Sequence, residues 1–118
     1  MKKIKNNKNN KNNKKIVLIG STQYRSKFQR WKRHFEKQGY DVLIPAFDKH
    51  SMDELQVCEY NRKKILEANE VGIIWDCRSM GTIFDFGMAF ALRKPIRILY
   101  LEPKTFMGVM TKYEIAFN

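Results

Sequence analysis

Asp85 has the setting of a reactive carboxylate. It lies in Ser79-Met80-Gly81-Thr82-Ile83-Phe84-Asp85, a short polar loop that runs into an apolar stretch. Thr82 can cap a helix through FDFGMAFAL. Asp85 then falls within the first turn or so, where the positive end of the helix dipole favours an ionised acid. An ionised, partly shielded carboxylate that faces a ligand cleft can attack a sugar carbon. An acid at a helix start is also common where no ligand binds, and the residue alone does not separate the two. Gly87, in mid-helix, costs about 1 kcal/mol relative to alanine; a close approach of the helix to a sheet or a ligand would account for it. Asp76 opens the same loop, as a turn former or as a ligand contact. A second loop, Gly20-Ser21-Thr22-Gln23-Tyr24-Arg25, offers a glycine, two hydroxyls, backbone N–H groups at a helix start and a cation. Those parts suit a phosphate or a sugar, and they equally make a tight strand-to-helix turn. GxGxxG and GK[ST] are both absent, so neither a dinucleotide fingerprint nor a P-loop is present.

Both loops need strands to hold them. Residues 16–19 (IVLI) form a continuous apolar run, the pattern of a strand buried on both faces. Tyr24, Phe28, Trp31 and Phe35 follow at helical spacing, an aromatic stripe that reads as core packing. Gly39 suits the end of that helix. Residues 41–44 (DVLI) give a second strand closed by Pro45, and 46–51 a loop. A second helix is expected over about Met52–Asn69, with Leu55, Cys58, Ile65 and Leu66 inward. Val71–Trp75 is a third strand. Lys94-Pro95 stops the third helix, residues 96–101 (IRILYL) form a fourth strand, and a last helix spans about 105–117 with Phe106, Met110, Tyr113 and Phe117 on one side. Apolar strands alternating with helices predict an α/β fold, a three-layer sandwich around a short parallel sheet. In such sheets ligands bind beyond the carboxyl ends of the strands. The two loops just described lie there.

Composition narrows the classes. The chain has 118 residues and a net charge of +11. Residues 1–15 hold seven lysines and no acid, which leaves 16 Lys+Arg against 12 Asp+Glu, about +4, for residues 16–118. The division is a Lys/Asn-rich disordered tail (1–15) and one domain (16–118). The tail could contact nucleic acid through its charge, but no aromatic residue is interleaved with the lysines to stack on a base. No apolar run approaches the roughly 20 residues of a membrane span, and no secretory signal follows the basic start. Cys58 and Cys77 form no CxxC pair, and His34 and His50 stand far apart, which predicts no metal site. Cys77 pairs with no evident base. Free thiols without a signal point to the cytoplasm.

The segment from Ser79 to Pro95 resembles the helix-start motif of nucleoside 2-deoxyribosyltransferases and of their relatives, the 2'-deoxynucleoside 5'-phosphate N-hydrolases. That motif reads roughly S/D-x-G-x-x-x-E-x-G-x-A-x-A-x-x-K. Gly20-Ser21 after the first strand and Ala68-Asn69-Glu70-Val71 before the third fit the same pattern, so the likeness spans most of residues 16–101. The resemblance implies a flavodoxin-like fold, no cofactor, a nucleoside or nucleotide ligand, and an oligomer whose subunits complete each other's sites. It implies cleavage or transfer at the N-glycosidic bond through a carboxylate nucleophile, by the logic of a retaining glycosidase. Asp85 falls on the nucleophile, one methylene shorter than the family's glutamate. Ser79 falls on a sugar or phosphate contact, with Gly81 and Thr82 beside it, and Gly20, Ser21 and Thr22 fall on the loop beneath the sugar. Arg62 stands where the enzymes place an acid that orients the nucleophile and protonates the base. An arginine there cannot act as that acid, but could bind a phosphate. The same pocket could also hold a nucleotide without chemistry.

Overall fold

The computed structural model describes residues 13–44, 51–103 and 105–116. The expectations for the tail up to Asn12, for Pro45 and the rest of 45–50 with His50, and for Phe117 lie outside the described residues.

The elements follow the hydrophobic pattern in order. They are β1 (Lys15–Gly20), a 3-10 turn (Thr22–Tyr24), α1 (Arg25–Lys37), β2 (Asp41–Leu43), α2 (Glu54–Glu67), β3 (Glu70–Trp75), α3 (Met80–Ala91), β4 (Ile96–Leu101) and α4 (Phe106–Ala116). The four strands form one all-parallel sheet in the order β2-β1-β3-β4. This is the strand order of a flavodoxin-like α/β fold, with the reversal of direction between β1 and β3.

Alternation along β1 explains why its apolar run is continuous. Ile16 and Leu18 point to one face, where they meet Phe28 and Phe35 of α1 and Ile74 of β3. Val17 and Ile19 point to the other, against Val71, Ile73, Ile65 and Ala68 near the end of α2, and Ala89 of α3. A strand between two helical layers must be apolar on both sides. The aromatic stripe of α1 is core, as its spacing implied: Phe28 and Phe35 are fully buried, and Tyr24 and Trp31 pack on the same cluster.

Local chemistry sets the helix ends. Asp53 caps α2 in a reciprocal capping box: its carboxylate accepts from the Gln56 N–H and the Gln56 side chain accepts from the Asp53 N–H, each at 2.8 Å. At the far end Lys94 donates to the carbonyls of Leu66 (3.0 Å) and Ala68 (2.8 Å), satisfying groups that a helix leaves open. Three expectations shift. Leu55 and Leu66 of α2 face outward, and Ile65 carries the burial. The cap position of α3 is Ser79, and Thr82 sits inside the first turn, buried, with its hydroxyl donating to Ser79 Oγ at 3.2 Å. No helix among the described residues is long and apolar enough to cross a membrane.

Candidate functional site

The carboxyl ends of β1 and β3 bring the two loops together. The Ser21 N–H donates to the Ile74 carbonyl at 3.0 Å, and the Asp76 N–H donates to Ser21 Oγ at 3.3 Å. Gly20 fits this junction because a Cβ there would strike the Ile74 carbonyl oxygen. Gln23 Nε2 donates to Asp76 Oδ2 at 2.9 Å across the same gap. The other Asp76 oxygen accepts from the N–H groups of Arg78 (2.9 Å) and Ser79 (2.8 Å). Asp76 is therefore the organiser of this turn. The geometry forces Cys77 to a φ of 62°, a left-handed conformation that costs a non-glycine residue energy. Trp75 Nε1 donates to the Ser79 carbonyl at 3.1 Å and fixes the entry to α3. The Ser79 side chain makes no capping hydrogen bond at the start of α3, and N–H groups at a helix start suit an anion.

Asp85 lies one turn deeper in α3 than a helix-start acid. It is only 8% exposed, on the inward line with Thr82 and Ala89. The dipole effect fades beyond the first turn, and desolvation wins: burial lifts its carboxyl to about 6, partly offset by a hydrogen bond from Asn61. The expectation that the helix start would favour the ionised form is thus overturned by depth. Asn61 Nδ2 donates to Asp85 Oδ2 at 3.4 Å, while Asn61 Oδ1 is buried without a partner among the described residues.

Arg62 is not at Asp85. It is exposed, pairs with Glu59 on its own helix, and lines a groove of about 1000 Å³ between α2 and α3, beside Leu55, Leu66 and Met88. The physical reason is helical phase. Ile65 and Ala68 are the buried positions near the end of α2, and one turn before Ile65 is residue 61, not 62. The resemblance put Arg62 at this place, but the helical phase set by Ile65 brings Asn61 there instead.

Gly81 and Thr22 are exposed near the loop ends, and a Cβ on Gly81 or Gly87 would meet open space. Gly87 thus makes no close approach to the sheet within one chain. A third polar group escaped the sequence reading. Tyr24 and Tyr100 both donate to Glu102 at the end of β4, Tyr24 at 3.4 Å. The bond to Glu102 pushes the Tyr100 hydroxyl up to about 12, and burial, then the Glu102 charge, raises Tyr24. The turn after β1 and the end of β4 meet there, a convergence that no local spacing records.

No three His, Cys, Asp or Glu side chains among the described residues gather as a metal site would require. No protein-family model matches the chain, and no curated protein matches it.

Proposed function

We propose that the protein acts at the N-glycosidic bond of a deoxynucleoside or deoxynucleotide, with Asp85 as nucleophile. One observation carries the reading: the acid at the motif position is buried, held by Asn61 from the facing helix, and has its carboxyl lifted to about 6. Perturbed, shielded carboxylates concentrate at functional sites. With that value the group is mostly ionised at pH 7 and available as a nucleophile. Asp85 Oδ attacks the anomeric carbon, the bond to the base nitrogen breaks, and the base leaves with that electron pair and takes a proton from water. Water or a second base then attacks the same carbon and frees the carboxylate. The sugar would rest near Gly20, Ser21 and Ser79, with Thr22, Gly81 and Thr82 at the margin. Cofactor and metal have no part in this scheme. Arg62, exposed and paired with Glu59 on its own helix, takes no part in holding the substrate.

A second reading, a nucleotide-binding module without chemistry, is favoured by one feature. The residue that reaches Asp85 is an amide, which can orient a carboxylate but cannot protonate a leaving base. The experiment is incubation with each deoxynucleoside and its 5'-monophosphate, following free base by chromatography and a deoxyribosyl adduct by mass spectrometry. A 2-fluoro-2-deoxy analogue should trap the adduct on Asp85, and Asp85→Asn should abolish base release. Tight nucleotide binding with no base released from any substrate would replace the first reading with the second.

A further inference from the structure

α1 carries the positive charge of the domain. Its 13 residues hold six Lys+Arg and one acid, Glu36, while the rest of residues 16–118 holds ten Lys+Arg against eleven Asp+Glu. The helix buries Phe28 and Phe35. At about 3.6 residues per turn, Ser26, Arg30, Arg33 and Lys37 fall on the opposite side, and all four are exposed. Two of the other cations are taken up within the fold. Lys32 pairs with Glu36 at 2.7 Å, and Lys27 lies over the Tyr100 ring. Arg30, Arg33 and Lys37 have no ion pair among the described residues. α2 is built otherwise: Glu54, Glu59 and Glu67 share it with Arg62, Lys63 and Lys64, and ion pairs join them. A face that serves solubility alone mixes its signs in this way. On α1 like charges stand three and four residues apart, which destabilises a helix. Arg25 and Lys27 in its first turn also oppose the dipole. Such a face fits an anionic partner.

We propose that the outer face of α1 binds the phosphate backbone of double-stranded nucleic acid, without reading its sequence. The guanidinium forks of Arg30 and Arg33 match phosphate oxygens, and Ser26 and Gln29 stand beside them as neutral hydrogen-bonding groups. The aromatic side chains of α1 decide for a duplex over a single strand. Phe28 and Phe35 are buried and Trp31 is half-buried, so the face offers no platform on which free bases could stack. Charge density then rules, and a duplex carries one charge per about 1.7 Å of its axis, twice that of either strand. A lipid surface fits less well. A helix lying in a membrane surface sinks its apolar side into the acyl boundary, whereas the apolar side of α1 is packed on the sheet. The basic surface continues past the helix. Asn13 and Lys14 line one cleft with Gln38 and Gly39, directly after Lys37, and five more lysines precede Asn13 in the sequence. The proposal stands whether or not Asp85 reacts with anything.

The test is fluorescence anisotropy of labelled random-sequence duplexes, one of DNA and one of RNA, titrated with the full chain at about 50 to 300 mM KCl. Binding to either duplex that weakens steeply with salt is expected, and a clear preference for the single strands overturns the proposal. Arg30→Gln, Arg33→Gln and Lys37→Gln together should lower affinity at least about tenfold and reduce the salt slope by about 3, with an unchanged circular dichroism spectrum. Should that variant fail to fold, Arg33→Gln alone serves, with a slope reduced by about 1. Arg62→Gln, Lys63→Gln and Lys112→Gln together remove the same charge from exposed positions on α2 and α4, and should change the slope by less than about 1. Equal losses from the two triple variants overturn the proposal, because binding would then follow net charge and not α1. Failure to bind any duplex overturns it too. A chain that ignores the duplexes but co-sediments with phosphatidylcholine–phosphatidylserine vesicles overturns it in favour of a lipid surface.

Discussion

Replacing Asp85 by asparagine should make the folded chain more stable at pH 8 and leave it unchanged at pH 4. Burial moves the carboxyl from its ordinary 3.8 to about 6. Below pH 4 the folded and unfolded chains both carry the proton, and the group adds no penalty. Between those values the folded chain holds a proton that the unfolded chain has given up, so stability falls as pH rises. Above pH 6 the full penalty applies. Two pH units at about 1.4 kcal/mol each give on the order of 3 kcal/mol. Asparagine keeps the shape, removes the charge, and brings an N–H donor to the buried Asn61 Oδ1 that lacks a partner among the described residues. For a domain of this size the difference corresponds to a thermal midpoint higher by on the order of 10 °C at pH 8. The assay is thermal unfolding by circular dichroism from pH 4 to 8, read as the variant minus the parent so that all other titrations cancel. Parallel curves across that range would refute the reasoning, because they would mean that Asp85 titrates as a solvated acid.

Other outcomes follow from the same geometry. Any base release should rise with pH through about 6 as Asp85 ionises, and a rate flat from pH 5 to 8 in the assay of free base would count against the nucleophile. Cys77→Gly should raise stability by about 1 kcal/mol by relieving the left-handed φ, as read from urea midpoints. Gly20→Ala should prevent folding or cost more than about 3 kcal/mol, since its Cβ meets the Ile74 carbonyl; solubility and circular dichroism report it. Arg62→Ala should change stability by less than about 0.5 kcal/mol, its partner being an exposed Glu59. It should also not discriminate a deoxynucleotide from its deoxynucleoside in calorimetric titration.

The fold was legible because its signals are local and redundant. IVLI and VGIIW read as strands buried on both faces, and the stripe from Tyr24 to Phe35 as an inward helix face. The edges of the α2–α3 pair were harder. Leu55 and Leu66 look inward by composition but are exposed, and the motif's spacing put Arg62 where the phase of the helix brings Asn61. Asp85 was found by its motif and its place on a helix, but its charge state depends on depth, and depth is a property of packing that no spacing carries. The pairing of Asp76 with Gln23 and the meeting of two tyrosines at Glu102 join residues 53 and 78 positions apart. Nothing short of the folded sheet brings them together.

The order β2-β1-β3-β4 also bears on how the chain is made. β1 sits between β2 and β3, and its register with β3 runs from Ile16↔Glu70 to Gly20↔Ile74, whereas only three residues of β2 pair with it. During synthesis the most apolar segment of the protein emerges first and must wait more than fifty residues for its main neighbour. At about 5–20 residues per second that is several seconds on the ribosome, and the long loop to be closed slows the search further. Until then IVLI has at most the three residues of β2 beside it and is open to its counterparts on neighbouring nascent chains. Lysines flanking an apolar strand oppose its pairing with like strands, and seven lysines lie just ahead of this one in the sequence.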